Sequence, residues 1–302
     1  MIEQMSLVAI VLSLGAALSA AANNLCVRIG TEDGKTYDAV FVVMVVNLVV
    51  LLPLVAIVYY PDYGLTRRSW LAFIAAGVLG TLLGRLFLYT SIARIGASRT
   101  SPIVASNALV ATILGVLLLD ETLVPAHAVG IVLIVVGVGA IAWETSHGNP
   151  DGLSRRELLV GLLIPFGAVF AYGWEPIYAS YGFAEGTPAP VGLVVKTVAA
   201  TLGFTLYLRW RGALPDPAVV RGANVRWFVL AGLANTMFLL GYYVALALAP
   251  VNVVVPIVIT QTLFVVLLSA VLMPERLERV SWQLVAASAV VVVGVLIVTL
   301  SA

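Results

Sequence analysis

Long apolar runs alternate with short polar breaks along the whole chain. Runs near the ~20 residues that a helix needs to cross ~30 Å of hydrocarbon fall at roughly 6–29, 39–59, 70–93, 100–119, 124–143, 157–180, 189–208, 227–249, 253–273 and 281–301. The breaks between them carry turn or charge signals, among them TEDGK at 31–35, PDYG at 61–64, HGNPDGLSRR at 147–156 and PERLER at 274–279. Backbone groups in lipid must be satisfied within the segment, and these runs are too long and too uniform for barrel strands, so each is predicted to be a helix. The leader MIEQMS contains no Lys or Arg, and the run after it is as long as a bilayer requires, so the first run is read as a span rather than a signal peptide.

The chain also matches itself. A shift of 154 residues puts Tyr89 on Tyr243, Ala93 on Ala247, Pro102 on Pro256, Ile103 on Ile257, Val104 on Val258, Leu109 on Leu263 and Glu121 on Glu275, with Asn107 on Gln261. In the earlier helices the offset drifts to 152, where Gly15 and Ala16 meet Gly167 and Ala168, and Asn23 meets Glu175. A unit with an odd number of crossings must enter the membrane from opposite sides in its two copies. The expected fold is therefore an all-α integral membrane protein, with ten transmembrane helices arranged as two inverted five-helix repeats. The repeats are predicted at 1–146 and 157–302, joined by a linker loop at 147–156.

Composition supports lipid as the main solvent: 62% of residues are hydrophobic and 10% charged, and mean hydropathy is +1.09. Net charge is +1, with no basic block beyond Arg67-Arg68 and Arg155-Arg156, which argues against nucleic-acid binding. Cys26 is the only cysteine, and His127 and His147 lack partners at metal-ligand spacing, so no metal site is expected. The sequence contains no nucleotide-binding loop, zinc motif or nucleophile elbow. The expectation is a protein without enzymatic activity and without a cofactor.

Few polar groups fall inside the spans, and those few are informative. A charge at the bilayer centre costs from about 2.5 kcal/mol upward and normally faces a partner or a water-filled cavity. Glu175, in the sixth run, is the one carboxylate clearly within a span, with Lys196 and Arg85 as candidate partners. Pro176 removes a backbone donor beside it, which predicts a kink and a carbonyl freed toward a cavity. Glu175 is suited to accept a proton or contact a substrate ammonium group, or else to lock two helices as an ion pair. Asn23, Asn24, Asn47, Asn107, Asn235 and Gln261 supply uncharged donors and acceptors, either for a polar substrate or between helices. Repeat symmetry favours Asn107 and Gln261 as residues facing one cavity. Tyr89, Trp174, Tyr178 and Tyr243, with Tyr172 and Tyr242, offer apolar faces with polar tips suited to a pocket wall. The fifth and tenth runs hold almost only Val, Ile, Leu, Ala and Gly, so they are expected at the periphery, against lipid or a second copy of the chain. Gly80 and Gly84 form a GxxxG, read as close helix contact.

Two signatures carry a resemblance. A tyrosine-containing third run leads into ARIGASRTSPI and a fourth ends in LLLDETL; these recur as YYVALALAPVNVVVPI and VLMPERL. Together they resemble the drug/metabolite transporter superfamily, EamA type, over nearly the whole chain. The resemblance implies ten helices in two five-helix repeats and a role in exporting amino acids, metabolites or drugs. Where that family usually has a Gly-Glu pair after the fourth and ninth helices, this chain has Asp120-Glu121 and Pro274-Glu275. The resemblance thus carries the fold and not a substrate.

The expected function is secondary transport, as an exporter in the cell (plasma) membrane, of a small polar or zwitterionic metabolite such as an amino acid, by alternating access. Its expected partners are that small molecule, the lipid bilayer, protons as a coupling ion, and a second copy through the fifth or tenth helix. A membrane scaffold or a helper in lipid-linked sugar handling is the competing class. In short loops, twelve Lys and Arg lie on one side and only Arg67 and Arg68 on the side carrying both termini. The count puts both termini outside, whereas the resemblance implies cytoplasmic termini. A C-terminal reporter active only in the cytoplasm is expected to stay silent, and a bright signal would reverse the orientation.

Overall fold

The computed structural model describes residues 2–118, 125–147, 155–215, 222, 224–248, 257–274 and 280–300. Every regular element among them is helical. In chain order they are α1 (Ile2–Gly30), α2 (Thr36–Val58), α3 (Arg67–Ala76), a π-helical segment (Gly77–Gly84), α4 (Arg85–Ile95), α5 (Ala97–Ala105) and α6 (Asn107–Leu118). They continue as α7 (Pro125–His147), α8 (Arg155–Ala184), α9 (Ala189–Trp210), α10 (Val225–Leu248), α11 (Gln261–Leu272) and α12 (Trp282–Leu300).

Among the described residues seven helical stretches are long and apolar enough to cross a membrane: Leu7–Gly30, Thr36–Val58, Arg67–Ile95, Ala97–Leu118, Val160–Ala184, Ala189–Trp210 and Val225–Tyr242. Three shorter apolar helices, Pro125–Ile141, Ile257–Leu272 and Trp282–Ile297, lie inside the remaining predicted runs. Local chemistry sets several ends. Thr66 caps α3 through a reciprocal box, accepting from Ser69 N at 3.1 Å while Ser69 Oγ accepts from Thr66 N at 3.0 Å. Gly96 closes α4 at φ +90, a conformation that side-chain-bearing residues rarely adopt.

Burial is inverted relative to a water-soluble domain. Leu7, Ile57, Leu163, Leu206 and Met237 are exposed, whereas Ser13, Asn23, Asn47, Arg85, Thr197 and Thr236 are buried. Hydrocarbon solvates the first group, and the second must find partners inside. α1 packs on α10 and α11, α2 on α9 and α10, and α8 on α3, the π segment, α4 and α6. α7 and α12 pack on each other through Ile134, Val138, Ile141, Leu284, Val291 and Val295, while Val132, Val135 and Val136 stay exposed. This agrees with the peripheral place read from their composition.

The third span is interrupted where it is most crowded. Gly77, Gly80 and Gly84 lie on the π segment, and a methyl group on each would meet, respectively, the Lys196 backbone, the Glu175 carboxylate and the Tyr172 ring. Gly77 is needed because the α9 backbone lies against it, and Gly80 and Gly84 because the Glu175 and Tyr172 side chains of α8 fill the space beside them. The GxxxG reading anticipated the approach but not the π geometry. Gly77→Ala is expected to lower the melting temperature of the detergent-purified protein, at an overpacking cost of about 1–3 kcal/mol, since a carbonyl of α9 cannot yield. Gly139→Ala, whose new methyl meets nothing within 4 Å, is expected to melt like the parent.

Candidate functional site

Lys196 and Glu175 form an ion pair between α9 and α8. Their side chains are 9% and 20% exposed, so neither charge could persist there without the other or water. The Glu175 carboxylate rests on Gly80, where any side chain would displace it. Of the two partners open to Glu175 from sequence, Lys196 is the one it takes.

Arg85, the first residue of α4, goes elsewhere. Its guanidinium is buried and donates from Nη2 to Asn235 Oδ1 at 2.8 Å. The Asn47 amide meets Asn235 Oδ1 at 2.8 Å. In the turned orientation the Asn47 oxygen replaces its nitrogen at that place and accepts from Arg85 Nη1 at 3.1 Å, in exchange for the donation to Asn235, while the nitrogen donates to the carbonyls of Gly232 and Val43 at 3.1 and 3.3 Å. Thus α2, α4 and α10 are tied by one cation and two neutral amides. Beside them Tyr89 donates to Asn23 Oδ1 at 2.8 Å, Asn23 to Asn24 Oδ1 at 3.1 Å, and Asn24 to Ser101 Oγ at 3.1 Å, joining α4, α1 and α5.

The fourth span breaks at Ser106, between α5 and α6. Ser106 N and Oγ both bond back to the Ile103 carbonyl, at 3.1 and 2.6 Å. The same arrangement recurs at Thr260, just before α11, whose N and Oγ1 bond to the Ile257 carbonyl at 3.2 and 2.5 Å. Asn107 and Gln261, the residues that follow, open the second part of each span.

These groups enclose one cavity of about 360 Å³. Asn23, Asn24, Arg85, Tyr89, Asn107, Glu175, Lys196, Asn235 and Gln261 all line it, as do Tyr172 and Tyr242. Asn47 lies one layer behind, on Arg85 and Asn235. Trp174 and Tyr178 stay outside the lining and stack on each other at 5.8 Å, with Phe170 edge-on to Trp174 at 6.2 Å. Tyr243 lies outside the residues whose side chains are described, as does the Asp120-Glu121 pair. The cavity adds Thr81, Ser101, Thr197 and Thr262 to the groups read from sequence. Thr197 and Thr262 adjoin Lys196 and Gln261, and Thr81 sits four residues before Arg85, one helical turn away. No described side chain of α7 or α12 lines the cavity. Among the described residues no cluster of His, Cys, Asp or Glu is arranged to hold a metal ion.

Comparison with known proteins gives a family and a fold. The EamA-like transporter family model matches residues 7–143. No curated protein matches the chain. A solved structure described only as "Crystal structure of protein" is similar at a TM-score of 0.64 and 17% identity, covering 97% of both chains; at that identity it supports the fold alone. The family match agrees with the arrangement of apolar helices around a polar cavity: residues 7–143 match the EamA-like transporter family, which is part of the drug/metabolite transporter superfamily.

Proposed function

We propose that this protein is a secondary transporter that exports a small polar metabolite across the plasma membrane by alternating access around the central cavity. The observation that carries the reading is the cavity itself. It is large enough for an amino-acid-sized molecule and gathers the in-span charges Arg85, Glu175 and Lys196 with amides from α1, α6, α10 and α11.

The architecture in this proposal is ten spans in two inverted repeats. Two features support it. Helix contacts exchange when the halves are exchanged: α1 on α10 corresponds to α8 on the third span, α6 on α8 to α11 on α1, and α7 and α12 pair with each other. The breaks at Ser106 and Thr260 fall 154 positions apart, the offset of the sequence repeat. Interrupted helices at corresponding positions of two repeats are a device by which transporters expose backbone to a mid-membrane site. Purified protein in proteoliposomes is expected to show substrate-dependent counterflow, and its absence over a broad set of small metabolites would remove the transport reading.

Glu175 is the proposed proton-exchanging group. Glu175→Gln leaves Lys196 buried without its counter-charge, which costs up to about 3–5 kcal/mol, less where water enters. The double change Glu175→Gln with Lys196→Gln removes that imbalance and is expected to recover the lost melting temperature. If Glu175 exchanges protons, the double variant is stable yet has lost pH-dependent transport. Recovery of both stability and pH-dependent transport would reduce the pair to a helix lock.

A further inference from the structure

The charges around the cavity do not cancel, and this residue of charge names a substrate class within the transport reading on which it rests. Among the described residues two cations and one carboxylate line the space. Lys196 and Glu175 neutralise each other. Arg85, 7% exposed, meets only neutral amides, and no carboxylate of the described residues pairs with it.

The geometry points to a substrate that carries an oxyanion, seated on the guanidinium of Arg85. A buried arginine without a counter-ion is costly, and an anion from solution removes that cost. A guanidinium offers five N–H donors in a planar fork matched to carboxylate and phosphate oxygens; Asn235 and Asn47 take one each from Nη2 and Nη1. These amides hold the fork in place without neutralising it. The helix breaks contribute little field of their own, because the carbonyl end of α5 faces the amide end of α6 across Ser106 and the two partial charges oppose. A full unit charge on Arg85 decides the sign.

The cavity is correspondingly poor for an ammonium group. Glu175, the one carboxylate among its described lining residues, is already engaged by Lys196, so an incoming ammonium displaces an existing pair or stays unpaired. The resulting order is anion above zwitterion above cation. It narrows the zwitterionic substrate expected from sequence, which had assigned Glu175 to an ammonium group.

A set of five-carbon probes isolates charge from size: glutarate, glutamine, glutaramide and 1,5-diaminopentane, compared at fixed ionic strength by thermal stabilisation of the full chain in detergent. Glutarate, or glycerol 3-phosphate against glycerol, is expected to bind about tenfold or more tighter than its uncharged counterpart, the scale of a charged hydrogen bond of ~1.5–3 kcal/mol. Arg85→Gln is expected to erase that preference and Arg85→Lys to keep part of it. If Arg85→Gln does not fold, the rank order of the parent protein decides alone. Equal stabilisation by glutaramide, glutamine or 1,5-diaminopentane, or no response to either oxyanion, overturns the proposal. Counterflow in proteoliposomes separates the two levels. Movement of a neutral or zwitterionic probe without an anion response removes the anion and keeps the transporter, whereas anion stabilisation without counterflow of any probe removes the transporter and keeps the anion site.

Discussion

An unpaired charge cannot be left in hydrocarbon, and most of this structure answers to that constraint. Lys196 and Glu175 lie on consecutive helices, 21 positions apart, and each makes the other tolerable. Bringing them together draws α8 and α9 against the third span. The approach is so close that the span has room only for hydrogen at Gly77 and Gly80. Three glycines in eight residues weaken an α-helix, and the segment widens into a π-helix. A single electrostatic requirement thus propagates into backbone geometry.

Several irregular stretches of backbone border the cavity. The π segment, the break at Ser106 and the break at Thr260 all border the polar interior, and Pro176 lies next to Glu175. α7 and α12, which face away from it, are uninterrupted and almost wholly apolar. Backbone groups released from helical bonding find side chains or water in a cavity and nothing in lipid. Pro176 has no N–H to give the Tyr172 carbonyl one turn earlier, and Tyr172 itself lines the cavity.

The apolar runs were legible because their length is fixed by bilayer thickness and not by tertiary packing. Polar residues within spans were legible for a related reason: each is costly enough to need an interior. Destinations were harder to read. Arg85 and Lys196 were equal candidates for Glu175, and the choice rests on Asn235, 150 positions from Arg85, which no local pattern reveals. Trp174 and Tyr178 have the right chemistry for a pocket wall, but at i and i+4 they stack along the flank of α8. Ser101, Thr81 and Thr262 escaped notice because a hydroxyl barely interrupts an apolar run, and serine or threonine in a helix often bonds only to its own backbone, as Thr201 does here.

A guanidinium that no described carboxylate neutralises would have an electrical consequence. In an alternating-access cycle with Glu175 ionised against Lys196, the described lining groups would give the empty cavity one positive charge, and a bound monoanion would cancel it. The loaded form would then turn without doing electrical work, while the returning empty form would move its charge through the membrane field. That return is worth up to about 2.3 kcal/mol for each 100 mV crossed in full. Voltage would act on the resetting of such a carrier and leave its delivery step untouched.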